Sequence, residues 1–324
     1  MNDELAIGVD IGGTKVAAGL VDAEGVILHR TRRDTPDRSS SPRVVEDTIT
    51  DAVNELLAWA DGEGREVEAV GIGAAGFVGA DRGTVVFAPH LSWRDEPLRD
   101  SLGGRIGRPI TVDNDANAAA WAESRFGAAR DESHVVMITL GTGIGGALII
   151  ENELRRGQFG IAGEFGHMQV VPDGIRCECG NRGCWEQYAS GNALVREARG
   201  LMTARSPVAQ DLLARVHGDP SRLAGPLVTE AAREGDPTAR ELLAEIGHWL
   251  GVGIAGLAAA FDPGIFVIGG GVSAAGELLI EPARESYRRR LPGRGYRPEA
   301  RIVEAALGPD AGLIGAADLA RGGT

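Results

Sequence analysis

Cysteine is nearly absent from this chain of 324 residues. The three present fall within eight positions, at Cys177, Cys179 and Cys184. Any disulfide among them leaves a thiol over, which disfavours a disulfide framework in a chain with no sign of export. Lysine occurs once, at Lys15, and every other basic residue is arginine, a pattern that genomic composition bias explains. Basic residues number 33 against 46 acidic, and the net charge of −13 disfavours a nucleic-acid partner, which requires a basic face. No positively charged, apolar leader precedes the first strand, and no segment reaches membrane-spanning length uninterrupted. The most apolar long stretch, Leu242 to Phe261, carries Glu245, His248 and four glycines and reads as a buried helix. The expected location is the cytoplasm.

Glycine, by contrast, is plentiful at 48 residues and gathers in short turns after apolar runs. Hydrophobic residues at 43% and charged residues at 24% are ordinary for a soluble globular protein. The length suits two domains rather than one small core.

The chain is organised around Glu164 to Ser190. His167 lies ten residues before Cys177. Three thiolates and one imidazole make a full tetrahedral set for a structural zinc. Gly174, Gly180 and Gly183 let the backbone turn tightly around a small ion. The spacing is not that of a zinc finger. Clustering argues against the alternative of three unrelated buried thiols. A hydrolytic zinc needs an open coordination position, and four protein ligands leave none. Glu164 and Glu186 flank the cluster, and a metal-bound His167 keeps a second ring nitrogen for another partner. Such an acceptor-rich group suits a polyhydroxylated ligand.

Along the chain, Leu5 to Val9 is an apolar run ending in Asp10, followed by I-G-G-T-K (Ile11 to Lys15). Val16 to Val21 and Val26 to His29 complete a three-stranded meander. The turn is not a P-loop, because G-x-x-x-x-G-K-[ST] is missing and a strand follows where a helix should. Asp10, Gly12, Gly13 and Thr14 can surround a phosphate with N–H groups, a hydroxyl and a metal-binding carboxylate; a plain hairpin is the alternative. Arg32 to Pro42 reads as a loop, Val44 to Ala60 as an amphipathic helix, and Val67 to Ala75 and Thr84 to Phe87 as strands. Ile110 to Val112 ends in D-N-D-A-N, where a helix to about Phe126 begins. Asp113, Asn114 and Asp115 are candidates for helix capping, or else a carboxylate among them accepts a proton from an attacking hydroxyl while the neighbouring amide orients that hydroxyl.

His134 to Leu140 is a strand, and G-T-G-I-G-G (Gly141 to Gly146) follows. It matches G-x-G-x-x-G, but a dinucleotide site needs a helix next, and Ala147 to Ile150 reads as another strand. Leu5–Leu28 and Val135–Leu154 therefore look like two copies of one plan, a duplicated lobe gripping a nucleotide from both sides. Asn192 to about Gly253 is mostly helical, with Pro207, Pro220, Pro226 and Pro237 as breaks. Ile265 to Ile268 is a strand ending in Gly269, Gly270 and Gly271, where a flat ligand part can lie against backbone. Arg288 to Arg290 is a solvated helix face. Arg301 to Ala305 is the last strand, and Ala311 to Leu319 is a helix packing back on the first lobe.

These segments together resemble the ROK family of sugar kinases, within the actin/hexokinase/Hsp70-like superfamily, over nearly the whole chain. E-F-G-H … C-E-C-G-N-R-G-C-W-E is similar to the family's zinc signature, V-D-I-G-G-T-K to its first phosphate motif, G-T-G-I-G-G to its second, and I-G-G-G-V-S to its adenosine-side motif. The resemblance implies an α/β, two-lobed, actin/hexokinase-like (ribonuclease H-like) ATPase fold with duplicated lobes and a central nucleotide/sugar cleft. The small lobe would hold residues 1–115 and 311–324, and the large lobe 116–310, with the zinc loop at 164–190.

The implied reaction is transfer of the γ-phosphoryl group of ATP, with Mg2+, to the 6-hydroxyl of a hexose. Overall likeness favours glucose. Asp115 matches the base; Gly76, Asn114, Asp115, Glu164, His167 and Glu186 match sugar contacts; His167, Cys177, Cys179 and Cys184 match the ligands of a structural zinc. Asp10, Gly12, Gly13, Thr14 and Lys15 match one phosphate side, Gly141, Thr142 and Gly143 the other, and Gly269, Gly270 and Gly271 the adenosine side. Ala75 stands where many members have proline. Closure of the lobes on sugar and a homo-oligomer, dimer or tetramer, are further implications. Sibling kinases for fructose, N-acetylglucosamine or N-acetylmannosamine, a polyphosphate donor, a sugar-responsive repressor and a nicotinamide-dependent dehydrogenase are the alternatives. The repressor needs an N-terminal helix-turn-helix, and this chain starts four residues before its first strand. The dehydrogenase needs a helix after Gly146.

Overall fold

The computed structural model describes residues 4–322. Its described residues divide into two compact units, one of residues 4–137, 147–163 and 306–322, the other of 138–146 and 164–305.

In the first unit, strands β1 (Leu5–Ile11), β2 (Lys15–Val21) and β3 (Ile27–Asp34) form an antiparallel meander. Helix α1 (Pro42–Gly62) follows, with Pro42 in its first turn, where a missing N–H costs nothing. Strand β4 (Val67–Ala74) pairs parallel with β1. A small antiparallel sheet comes next: β5 (Phe77–Val78), β6 (Val85–Phe87) and β7 (Arg94–Glu96). Helix α2 (Leu98–Ile106) ends at Gly107 in the left-handed conformation. Strand β8 (Ile110–Asn114), parallel to β4, runs into α3 (Asp115–Arg125). The main sheet has the order β3-β2-β1-β4-β8.

Alternation along the strands sorts the two faces. Leu5, Ile7, Val9 and Ile11 of β1 and Val70, Ile72 and Ala74 of β4 join α1 and α2 in one buried cluster. The residues between them, Gly8 and Gly71, face the C-terminal helix. That helix needs them small: a Cβ on Gly71 would lie 1.8 Å from the carbonyl oxygen of Ala316, and one on Gly315 would lie 1.7 Å from that of Ala118.

The second sheet contains β9 (His134–Leu140), β10 (Ile144–Ile150), β11 (Glu153–Leu154), β12 (Ile265–Gly269) and β13 (Arg301–Glu304). Its order, β11-β10-β9-β12-β13, repeats that of the first, with β10–β11 antiparallel and β12–β13 parallel. Helices α4 (Glu186–Ala189), α5 (Gly191–Thr203), α6 (Gln210–Arg215), α7 (Gly225–Glu234), α8 (Pro237–Phe261) and α9 (Glu277–Arg290) belong to the second unit. Helix α8 is long and apolar enough to cross a membrane by composition. Its Leu243, Leu250 and Ile254 are fully buried instead, and α8 and α9 pack closely. The last helix, α10 (Ala311–Ala320), returns to the first unit.

Four local expectations shift. β3 continues to Asp34, where a loop from Arg32 was expected, because it pairs with β2 as far as Lys15. β10 begins at Ile144 rather than Ala147. A 3-10 turn (Ser273–Ala275) separates the Gly269–Gly271 run from α9. The boundary expected after Asp115 does not coincide with the compact units: α3 sits in the first, held by α10, with Trp121 Nε1 donating to Asp318 Oδ2 at 2.8 Å.

Two substitutions to alanine should therefore move stability in opposite directions. Gly71→Ala forces the α10 backbone outward and should cost about 1–3 kcal/mol. Gly103→Ala, in α2 with no atom within 4 Å of the new methyl, should gain about 0.5–1 kcal/mol. Denaturant unfolding of both variants measures the two signs.

Candidate active site and metal centre

The first unit holds Asp10 to Lys15, Gly76, Asp113, Asn114 and Asp115; the second holds Gly141 to Gly143, Glu164, His167, the three cysteines, Glu186 and Gly269 to Gly271. In the turn between β1 and β2, the Gly12 N–H donates to the Lys15 carbonyl at 3.0 Å, and Thr35 Oγ1 donates to the Gly12 carbonyl at 2.7 Å. This closes the hairpin while Gly13 and Thr14 stay exposed. Burial pushes the Asp10 carboxyl up to about 6, against the pull of Lys15. The first turn of α10 lies against it at Gly312. A carboxylate so disfavoured by its surroundings is a natural partner for a cation.

The junction of β8 and α3 divides its three polar residues among three tasks. Asn114 is the helix cap: its Oδ1 accepts from the N–H of Ala116 at 2.9 Å and of Asn117 at 3.1 Å. Its Nδ2 donates to the Gly76 carbonyl at 3.0 Å, so Asn114 and Gly76 are brought together. Asp115 is the first helical residue and half-buried. Capping does not require it, and the helix N-terminus favours its negative charge.

Asp113, 3% exposed, is the buried anchor. Arg156 Nε and Nη2 approach its Oδ2 at 2.8 and 2.7 Å, and Arg82 Nε at 3.5 Å. Asn117 Nδ2 donates to Oδ1 at 2.9 Å. Arg82 and Arg156 went unnoticed in the sequence. Only the surplus of acidic residues in D-N-D hinted that one of them needed a buried counter-charge.

In the second unit, His167, Cys177, Cys179 and Cys184 offer ligand atoms that all lie within 4.8 Å of one another. His167 Nδ1 is 3.7 Å from Cys177 Sγ, and Cys179 Sγ is 3.6 Å from Cys184 Sγ. The ligands of a tetrahedral thiolate site lie about 3.8 Å apart, so the four atoms fit a single metal ion. Burial and the neighbouring thiols push Cys184 up to about 12; a divalent cation would supply the charge that lets such a cluster ionise. With Nδ1 in the cluster, Nε2 of His167 faces away from it. Glu164, just before it, is raised above the usual carboxylate range by burial and by the charge of Glu186, against the pull of His167.

The turn Gly141–Ile144 is met by the same loop: Glu186 Oε2 accepts from the Ile144 N–H at 2.9 Å. A strand follows this turn, which removes the dinucleotide reading. Gly269 is buried at the end of β12, and Gly270 and Gly271 are exposed beyond it. The Val272 N–H donates to the Leu140 carbonyl at 3.0 Å, so the triple-glycine run lies beside the end of β9.

Comparison with known proteins gives a consistent result. The ROK family profile matches residues 6–322. A glucokinase of Streptomyces coelicolor is 51% identical over 317 residues, 98% of each chain. A glucokinase of Thermotoga maritima is 37% identical, covering 97% of this chain and 96% of its own. Among solved structures, a ROK family glucokinase from Streptomyces griseus in complex with glucose and AMPPNP superposes with a TM-score of 0.88 at 53% identity, covering 98% of this chain and 99% of that one. A duplicated five-stranded sheet, a glycine turn after the first strand of each copy, a thiol–imidazole cluster and a match spanning nearly every described residue agree, and the chain belongs to the ROK family.

Proposed function

We propose that this chain is an ATP-dependent glucokinase, transferring the γ-phosphoryl group of ATP to the 6-hydroxyl of glucose. The observation that carries the reading is identity above 50%, over 98% of the chain, to glucokinases, one of them solved with glucose and AMPPNP. The geometry of each unit supports it. Asp115 accepts the proton of the 6-hydroxyl as that oxygen attacks phosphorus, help typically worth ~10²–10⁴ in rate. Asn114 contributes indirectly as well as by contact, because its amide ties the Gly76 carbonyl to the helix start. Glu164, Glu186 and the Nε2 of His167 take the remaining hydroxyls.

Phosphate oxygens would be met by the backbone of Gly12, Gly13 and Thr14 and the ammonium of Lys15 in the first unit, and by Gly141, Thr142 and Gly143 in the second. Asp10 would hold Mg2+, whose charge offsets that of the phosphates when bound. The adenosine side falls to Gly269, Gly270 and Gly271. Most of the acceleration comes from positioning and charge stabilisation, as phosphoryl transfer requires. Zinc would be held by His167, Cys177, Cys179 and Cys184 and would staple the loop that carries the sugar contacts.

ADP release should be measured with glucose, fructose, mannose, N-acetylglucosamine and N-acetylmannosamine. Strong, selective turnover of glucose is expected; selectivity for another sugar would keep the chemistry and replace the substrate. Asp115→Asn should lower kcat by at least ~10²-fold with sugar affinity largely kept, as calorimetry would show; near-normal turnover would sink the base assignment. Cys179→Ser should lose zinc, counted by elemental analysis, together with most glucose affinity, because the loop loosens without its staple. Full affinity in the zinc-free variant would refute that link.

A further inference from the structure

We propose that Glu186 is a positioning residue for the glycine turn Gly141–Ile144, so that one carboxylate serves the sugar and also sets the phosphate-side turn. This rests on reading that turn as a phosphate site. The turn closes on itself with one backbone bond, Gly141 N–H to the Gly143 carbonyl at 3.0 Å. Its other restraints come from the segment that follows the thiol cluster. Glu186 Oε2 accepts from Ile144 N–H at 2.9 Å. The Gly191 N–H donates to the Gly141 carbonyl at 2.9 Å, and the Asn192 N–H to the Thr142 carbonyl at 3.2 Å. From the other end of the loop, Gly166 packs so closely that a Cβ there would lie 2.5 Å from the Ile144 carbonyl oxygen.

Steric fit points the same way. A Cβ on Gly143 would lie 2.1 Å from Glu186 Oε2, so the carboxylate reaches the backbone only because residue 143 has no side chain. A carboxylate has two acceptor oxygens. Oε2 is committed to Ile144, which leaves Oε1 for a sugar hydroxyl. A charge-assisted bond to a backbone N–H is among the stronger hydrogen bonds, so this one restrains the turn before any ligand arrives. Loop and turn are 42 residues apart in sequence, yet the thiol loop clamps the turn at both ends.

The test is calorimetric titration of Mg·ADP into sugar-free protein, with metal content and thermal unfolding checked in parallel. Glu186→Ala should weaken ADP by about 10-fold or more while metal content stays at the wild-type level. Glu186→Gln, whose amide oxygen can still accept from Ile144, should stay within about 3-fold of wild type. ADP affinity unchanged in Glu186→Ala, or lost equally in both variants, would overturn the positioning role. Gly143→Ala separates this failure from failure of the underlying reading. If it weakens ADP and Glu186→Ala does not, the positioning role falls; if neither does, the turn is not a phosphate site. Should Glu186→Ala lose ADP affinity but keep glucose affinity, the positioning role stands and only the sugar contact is withdrawn.

Discussion

A carboxylate cannot be taken out of water unless its charge is met, and the burial of Asp113 imposes that condition where β8 becomes α3. The charge is met from distant parts of the first unit. Arg156 arrives from the segment after β11 and Arg82 from the tight turn between β5 and β6, while Asn117, in the first turn of α3, adds a local amide. Arg82 adopts a left-handed backbone, φ 51°, at a cost of order 1–3 kcal/mol that the ion pair helps to offset. The carbonyl of Arg82 also accepts from Val112 N–H at 3.0 Å, so the turn is tied to the strand as well as to the carboxylate. Asn114 and Asp115 leave this anchor in a fixed direction, the one as cap and the other at the helix start. The placement of the proposed base thus follows from satisfying a buried charge two residues earlier.

Close packing imposes the second constraint. The main sheet of the first unit carries large apolar side chains toward α1 and α2 and glycines toward α10. That asymmetry lets a helix of small residues settle onto backbone rather than onto side chains. The arrangement has little slack, since interiors are packed as densely as organic crystals. It also places the first turn of α10 beside Asp10, so the C-terminal helix helps bury the carboxylate assigned to magnesium.

The loop from Glu164 to Ser190 contains little regular structure: a 3-10 turn, two isolated bridges and the short helix α4. Trp185 fixes its far end, fully buried and donating from Nε1 to the Trp249 carbonyl of α8 at 2.7 Å. Glu186 follows directly on Cys184 and this buried indole and opens α4, and so it can hold a backbone N–H at a defined distance. The motif G-T-G-I-G-G belongs to this arrangement. Its Gly143 leaves room for the Glu186 carboxylate, and the strand that follows rules out a dinucleotide turn.

Much of this was legible beforehand where the signal is local. The meander, a strand rather than a helix after the second glycine turn, the buried helix ending at Phe261 and the clustering of the cysteines follow from period, turn chemistry and spacing, and the roles proposed for Asp115 and the sugar contacts came from resemblance. β7 and α2 were missed because three-residue strands and a helix containing Gly103 and Gly104 carry weak periodicity. By itself, the sequence determined the duplicated α/β plan and the clustering of His167 with the three cysteines, because these depend on residue type and near-neighbour spacing. Tertiary structure alone decided which residue of D-N-D is cap, anchor or helix start, that Arg82 and Arg156 neutralise Asp113, and that Glu186 holds Ile144. Those outcomes depend on charges and hydrogen bonds closed across tens of residues, and no local pattern encodes which distant partner will satisfy a buried group.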